Sequence, residues 1–255
     1  MSVHLSYRDD CAVLQLDRPQ ALNALSFETI AEIAQALEDI SSSKARALII
    51  TGAGTKSFCA GADIGELMNR TATAQKRGAE FGQSVFMKLS ALPIASVAVI
   101  NGFAFGGGLE LALSATFRIV TPAAKLGLPE IKLGLVPGYG GTQRLPRIVG
   151  EARALEMIMT GRTVGAEEAL AIGLANRLSE ADPVEAGIAF AREFTVYSLP
   201  VLALARSAVA RALDTSLADG LKIEADLSTL AYQTADAAEG MSAFLAKRKP
   251  AFRDE

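Results

Sequence analysis

Two uninterrupted apolar stretches, RALIIT at 46–51 and IASVAVI at 94–100, constrain what this chain can fold into more than any other feature. Strands without polar alternation have to be covered on both faces, and sheets covered on both faces are parallel sheets flanked by helices. The intervening segments agree with that requirement. Ser26 precedes FETIAEIAQALEDI, in which Phe27, Ile30, Ile33, Ala34 and Leu37 recur at helical spacing behind a capping hydroxyl, and a second helix is expected over about 75–89. Residues 13–16 and 117–121 read as further strands, and LELALSA after Gly106, Gly107 and Gly108 as a further helix. A strand that follows a helix in this manner implies a right-handed parallel crossover, so the expected fold class is α/β with a parallel core.

From about Gly150 the chain turns mostly helical: ALEMIMTG, a short helix over 166–171, then Ala- and Leu-rich stretches from Pro183 onward. At 255 residues a main domain with an appendage is expected. Half the residues are hydrophobic but only 6% are aromatic and none is Trp, a small-aliphatic composition suited to packed α/β layers rather than disorder.

Charge and cysteine usage narrow the function classes. A net charge of −3 leaves no global positive field for a phosphate backbone, so nucleic acid is not an expected partner. Cys11 and Cys59 are too few for a disulfide scaffold and read as reduced, buried thiols. The opening MSVHLSYRDDCAVLQLDRP carries charges every few positions and lacks the apolar core of a signal peptide, and no run approaches the 18 or so apolar residues of a membrane span. The expectation is a cytoplasmic protein without membrane contact.

Three glycine-containing segments hold the candidate chemistry. ALIITGAGTKS begins like a dinucleotide loop, but the third glycine of that fingerprint would fall on Ser57; a P-loop would need glycines where Ile50 and Thr55 stand. In SFCAGADIGEL, Ala60, Gly61 and Ala62 let backbone approach a ligand just before a helix near Asp63, whose ordinary role would be that helix's cap. In NGFAFGGGLELAL, Gly107 stands where a helix start would aim its unpaired N–H at a ligand, and Glu110 lies one turn further along the same face. A glutamate there also complements the helix dipole, but its apolar neighbours Leu109, Leu111, Ala112 and Leu113 argue for costly burial. In LGLPEIKLGLVPGYGGTQRLPR, Glu130 stands in apolar surroundings that invite a raised pKa; paired with Lys132 or Arg144 it would be an ordinary loop residue.

Together FCAGADI, NGFAFGGGLELA, LPEIKLGLVPGYGGTQRLPR and the terminal EGMSAFLAKRKPAF, with RPQALNALS near the start, closely resemble the crotonase family, specifically its enoyl-CoA hydratases. The resemblance covers nearly the whole chain. It implies a crotonase-like spiral of ββα units over residues 1–195 and a C-terminal helical oligomerisation region over 196–255, assembled as a homotrimer or as a hexamer of two trimers. It implies an oxyanion hole built from the N–H groups of Ala62 and Gly107, and Glu110 and Glu130 as the acid/base pair, with either glutamate open to either role. Substrate and coenzyme contacts are implied at Ala21, Leu22, Ala60, Asp63, Ile64 and Gly138, and at Phe244 and Lys247 reaching a neighbouring subunit's coenzyme. The implied reaction is a carbon–oxygen lyase step, addition of water to a 2-trans-enoyl-CoA in acyl-CoA degradation. No metal and no cofactor are expected beyond the coenzyme A that is part of the substrate. Gly65 departs from relatives that carry Lys there, which removes one basic contact. A Δ3,Δ2-enoyl-CoA isomerase or a thioester hydrolase is the alternative within the family. An RNA-binding role, which some members support through a lysine-rich first helix, is disfavoured because FETIAEIAQALEDI has Glu28, Glu32, Glu38 and Asp39 and no Lys or Arg.

Overall fold

The apolar runs form the centre of a six-stranded sheet in the computed structural model, which describes residues 1–255. β1 (Val3–Arg8) and β2 (Cys11–Leu16) form an antiparallel hairpin, and a 3₁₀ turn, Pro19–Ala21, leads to α1 (Phe27–Ser41). Ser26 caps α1 by accepting from the Thr29 N–H at 3.0 Å, and the helix buries Ile30, Ile33, Leu37 and Ile40.

Three strand pairs follow, and in each pair the two strands enter different sheets. β3 (Ala47–Gly52) is followed by β4 (Ser57–Cys59), then α2 (Ile64–Leu67) and α3 (Ala72–Ala91). β5 (Ala95–Ile100) is followed by β6 (Phe103–Phe105) and α4 (Gly107–Ser114), and β7 (Phe117–Val120) by β8 (Lys125–Gly127). Each long strand joins the large sheet in parallel and each short one a second, four-stranded sheet, so every turn of the chain adds one rung to both. Ile49, Ile50, Val97 and Val99 are fully buried, each burial contributing roughly 1.5–3 kcal/mol.

A 3₁₀ turn, Pro129–Leu133, then α5 (Gly141–Val149) and α6 (Glu151–Thr160) follow β8. β9 (Val164–Gly165) closes the small sheet antiparallel to β8, and after α7 (Ala166–Ala171) β10 (Arg177–Leu178) extends the large one beside β7. With α8 (Pro183–Ala191) the chain passes from a unit of residues Met1–Phe190 to one of Ala191–Glu255. The second unit is helical: α9 (Leu199–Arg211), α10 (Leu217–Tyr232) and α11 (Ala235–Leu245). Within it the buried Asp236 accepts from the N–H groups of Arg253 and Asp254 at 2.7 and 2.9 Å, fastening the chain end to the start of α11.

The parallel α/β core matches the sequence expectation. The whole second sheet escaped it, because strands of two or three residues are too short to show any periodicity. No helix is long and apolar enough to cross a membrane.

Candidate active site

β4, β6 and β8 are adjacent parallel strands, so the segments that follow them leave from one edge of the small sheet. Those segments are the three glycine-containing motifs, far apart in sequence and gathered by topology at the carboxyl ends of neighbouring strands, where α/β proteins place their ligand sites.

After β4, Ala62 forms an isolated parallel bridge with Leu25: the Leu25 N–H donates to Gly61 O and the Asp63 N–H to Leu25 O, both at 2.8 Å. That pattern turns the Ala62 N–H to the other side, where it has no acceptor in the protein. After β6, Gly106 takes φ +51° and ψ −126°, bending the chain into α4, whose first N–H, on Gly107, is also unpaired. The loops touch: a Cβ on Gly61 would lie 4.0 Å from Gly107 N. Two free donors on adjacent strand ends, one of them at a helix N-terminus, form a seat for a carbonyl oxygen that becomes negative.

Glu110 sits in the first turn of α4 and is 1% exposed. Its Oε1 accepts from the N–H groups of Tyr139 and Gly141, each at 2.7 Å. Burial pushes its pKa up to about 7; the charge of Glu130 pushes the same way, against the two N–H donors and the Arg144 guanidinium. Glu130 lies in the 3₁₀ turn after β8, where burial likewise raises its pKa, and its buried Oε2 has no hydrogen-bond partner. The two carboxyls are close enough for the charge of Glu130 to act on Glu110, and Glu130 closes over the start of α4, where a Cβ on Gly106 would be 2.9 Å from its Oε1. Two coupled, partly desolvated carboxyls beside two free N–H groups can move protons at adjacent atoms of a polarised substrate.

The profile of the enoyl-CoA hydratase/isomerase family matches residues 7–255. The chain belongs to that family. It is 40% identical over 254 residues to the crotonyl-CoA hydratase of Syntrophomonas wolfei, covering 98% of this chain and 97% of that one. It is 37% identical over 250 residues to the short-chain-enoyl-CoA hydratase of Clostridium acetobutylicum, covering 97% and 96%. The crystal structure of enoyl-CoA hydratase from Bacillus anthracis superposes with a TM-score of 0.95 at 34% identity, over 100% of both chains. The fold is therefore the crotonase-type spiral of the enoyl-CoA hydratases, as the motifs implied.

The other family positions fall in separate places. Ala21 and Leu22 end the 3₁₀ turn Pro19–Ala21, and Leu22 O accepts the Ala60 N–H at 3.0 Å, which holds that loop against the one carrying Ala62. Asp63 caps α2 by accepting from the Gly65 N–H at 3.2 Å, and its Oδ2 lies 3.4 Å from Arg18 Nη2; Ile64 follows it with 47% of its surface exposed. Gly138 precedes Tyr139 in the loop that clamps Glu110. Phe244 and Lys247, in the second unit, are exposed at the C-terminal end of α11.

Arg144 donates to Tyr139 O at 3.2 Å and lowers the Glu110 pKa, so it serves the Glu110 clamp rather than pairing with Glu130. Sequence reasoning missed that clamp. Gln83 of α3 donates to Gly138 O at 2.9 Å while the N–H of the same peptide unit, on Tyr139, donates to Glu110. The signal was the PGYGG run, where an aromatic residue among glycines marks a loop held against something; nothing in the sequence pointed to Gln83.

Proposed function

We propose that this member of the enoyl-CoA hydratase/isomerase family hydrates 2-trans-enoyl-CoA thioesters to 3-hydroxyacyl-CoA. What carries the reading is the pair of mutually interacting carboxyls, Glu110 in the first turn of α4 and Glu130 against Gly106 at its start, with the unpaired N–H groups of Ala62 and Gly107 on the same loops. The thioester oxygen sits between those two donors, which stabilise the enolate as water attacks the β-carbon. Glu110, whose pKa of about 7 lets it take up and release a proton near neutrality and whose Oε1 is aimed by two N–H donors, takes the proton of the attacking water. Glu130, whose buried Oε2 has no donor to support a charge, delivers its proton to the α-carbon. Turnover leaves Glu110 protonated and Glu130 ionised, and proton exchange through solvent restores the pair.

The coenzyme A of the substrate is the only cofactor this chemistry calls for. Ala21, Leu22, Ala60, Asp63, Ile64 and Gly138 contact the substrate, and Phe244 and Lys247 reach the coenzyme of a neighbouring subunit in a trimer or hexamer. A cytoplasmic location suits an acyl-CoA enzyme. The test is incubation of the purified protein with crotonyl-CoA and with a 3-enoyl-CoA, following conjugated-enoyl absorbance and free thiol. Loss of absorbance with crotonyl-CoA supports hydration; gain of absorbance from 3-enoyl-CoA alone makes the chain an isomerase, and thiol release makes it a hydrolase.

A further inference from the structure

The side chain of Tyr139 has no part in the proton transfers, yet it fills the space between two bare backbones at the site. The Cδ2 and Cε2 edge of its ring lies 3.2 and 3.4 Å from where a Cβ on Gly107 would be. The opposite edge lies over Gly82 of α3, where a Cβ would stand 2.5 Å from Cε1 and closer still to Cδ1. Phe86, one turn along α3, meets the ring edge-on at 5.7 Å, and Tyr139 is only 7% exposed. The ring is thus wedged between the helix start that carries the oxyanion donor and the flank of α3, at a height set by its own N–H bond to Glu110.

We infer that the Tyr139 ring is the closed end of the acyl site and restricts the enzyme to short 2-enoyl chains. The inference rests on the hydratase reading. With the thioester oxygen between Ala62 and Gly107 and the reacting carbons between the two glutamates, the acyl tail continues beside Gly107 and Glu110. The Tyr139 ring meets Gly107, and the backbone N–H of the same residue meets Glu110. Gly82 and Gly107 offer no side chain to close that space; Leu25, whose Cδ1 would lie 3.3 Å from a Gly107 Cβ, borders it beside the ring, and only position 139 stands between the two glycines. A smaller residue there leaves a slot about the size of a benzene ring with glycine on either side.

The experiment measures kcat/KM of the full-length protein for crotonyl-, 2-hexenoyl-, 2-octenoyl- and 2-decenoyl-CoA. For wild type the value falls at least about tenfold between crotonyl- and 2-decenoyl-CoA, the discrimination a packed apolar wall provides. Tyr139→Phe keeps the ring and keeps that profile. Tyr139→Ala raises the 2-decenoyl to crotonyl ratio at least about tenfold, and Gly82→Leu added to it refills the slot from the other wall and returns the ratio toward wild type. A ratio cancels any general loss of activity from disturbing the loop. Tyr139→Leu, less disruptive of the core, gives an intermediate ratio. A wild type equally active on all four chain lengths, or a folded and active Tyr139→Ala with the wild-type ratio, overturns the inference while hydration stands. Failure of wild type to hydrate any of them overturns the hydratase reading, and this inference with it.

Discussion

Glu130 lies so close to Gly106 that a Cβ on the glycine would stand 2.9 Å from Oε1, and Gly106 itself holds a φ of +51°. A side chain there is disfavoured by the backbone conformation, and its Cβ would displace the end of the Glu130 side chain. Gly106→Ala pushes the Glu130 carboxyl away from its position and strains the entry to α4. We expect kcat to fall on the order of 10²-fold, the cost of displacing a positioned catalytic group, with a smaller loss in thermal stability. Steady-state kinetics and thermal melts check this; wild-type kcat in a folded variant contradicts the placement of Glu130.

In the proposed mechanism Glu110 and Glu130 act in one transition state. Glu110→Gln and Glu130→Gln each preserve size and hydrogen-bonding capacity but remove proton transfer, so each lowers kcat roughly 10²- to 10⁴-fold. The double variant loses less than the product of the two, because once one transfer is gone the second has little left to contribute. Crotonyl-CoA hydration by the four proteins measures it, and near-wild-type hydration by Glu130→Gln refutes the two-glutamate mechanism.

Burial of Glu110 also makes stability depend on pH. Its folded pKa, about 7, lies above the usual carboxylate value of 4.5, so the native state binds the proton more tightly than the unfolded chain. Its contribution is fully present below pH 4.5 and is lost as pH rises through about 7. The lost stability is about 3 kcal/mol at alkaline pH, at 1.36 kcal/mol per unit. Glu110→Gln, which keeps an oxygen for the Tyr139 and Gly141 N–H groups, should melt close to wild type at pH 5 and several degrees higher at pH 8. Parallel melting curves at both values would show no difference at pH 8 if the carboxyl were not desolvated.

The proposed oxyanion seat is made of backbone, so side-chain truncation around it says little and removal of an N–H says much. Gly107→Pro deletes one donor at a first helical position and should lower kcat on the order of 10²-fold or more, while Gly107→Ala, which meets Tyr139 and Leu25 equally but keeps the N–H, loses far less and so separates the donor from crowding. A folded Gly107→Pro variant at full rate removes Gly107 from the site.

Lys247 stands exposed with φ +52° just past α11, in the KRK run of an otherwise acidic chain. If it meets a coenzyme phosphate, Lys247→Ala raises KM with kcat nearly held, the signature of lost uniform binding, and the difference shrinks as salt is added. Equal KM values across a salt series count against that contact.

The sequence by itself determined the layers of this protein and singled out the residues proposed to carry its chemistry. Continuous apolar runs such as IASVAVI have only one comfortable environment, the interior of a covered parallel sheet, and β5 occupies it. Gly107 and Glu110 were legible because a helix start and its first turn are local features, set by residues three apart. The tertiary structure alone decided how the motifs meet. β4, β6 and β8, three residues each, have no readable periodicity, yet their pairing brings Ala62, Gly107 and Glu130 to one sheet edge. The Glu110 clamp and the Tyr139 wedge lie beyond local reading for the same reason. Glu110 meets Tyr139 across 29 positions and Tyr139 meets Gly82 across 57, and contacts at such separations follow from how the layers pack rather than from the order of residues along the chain.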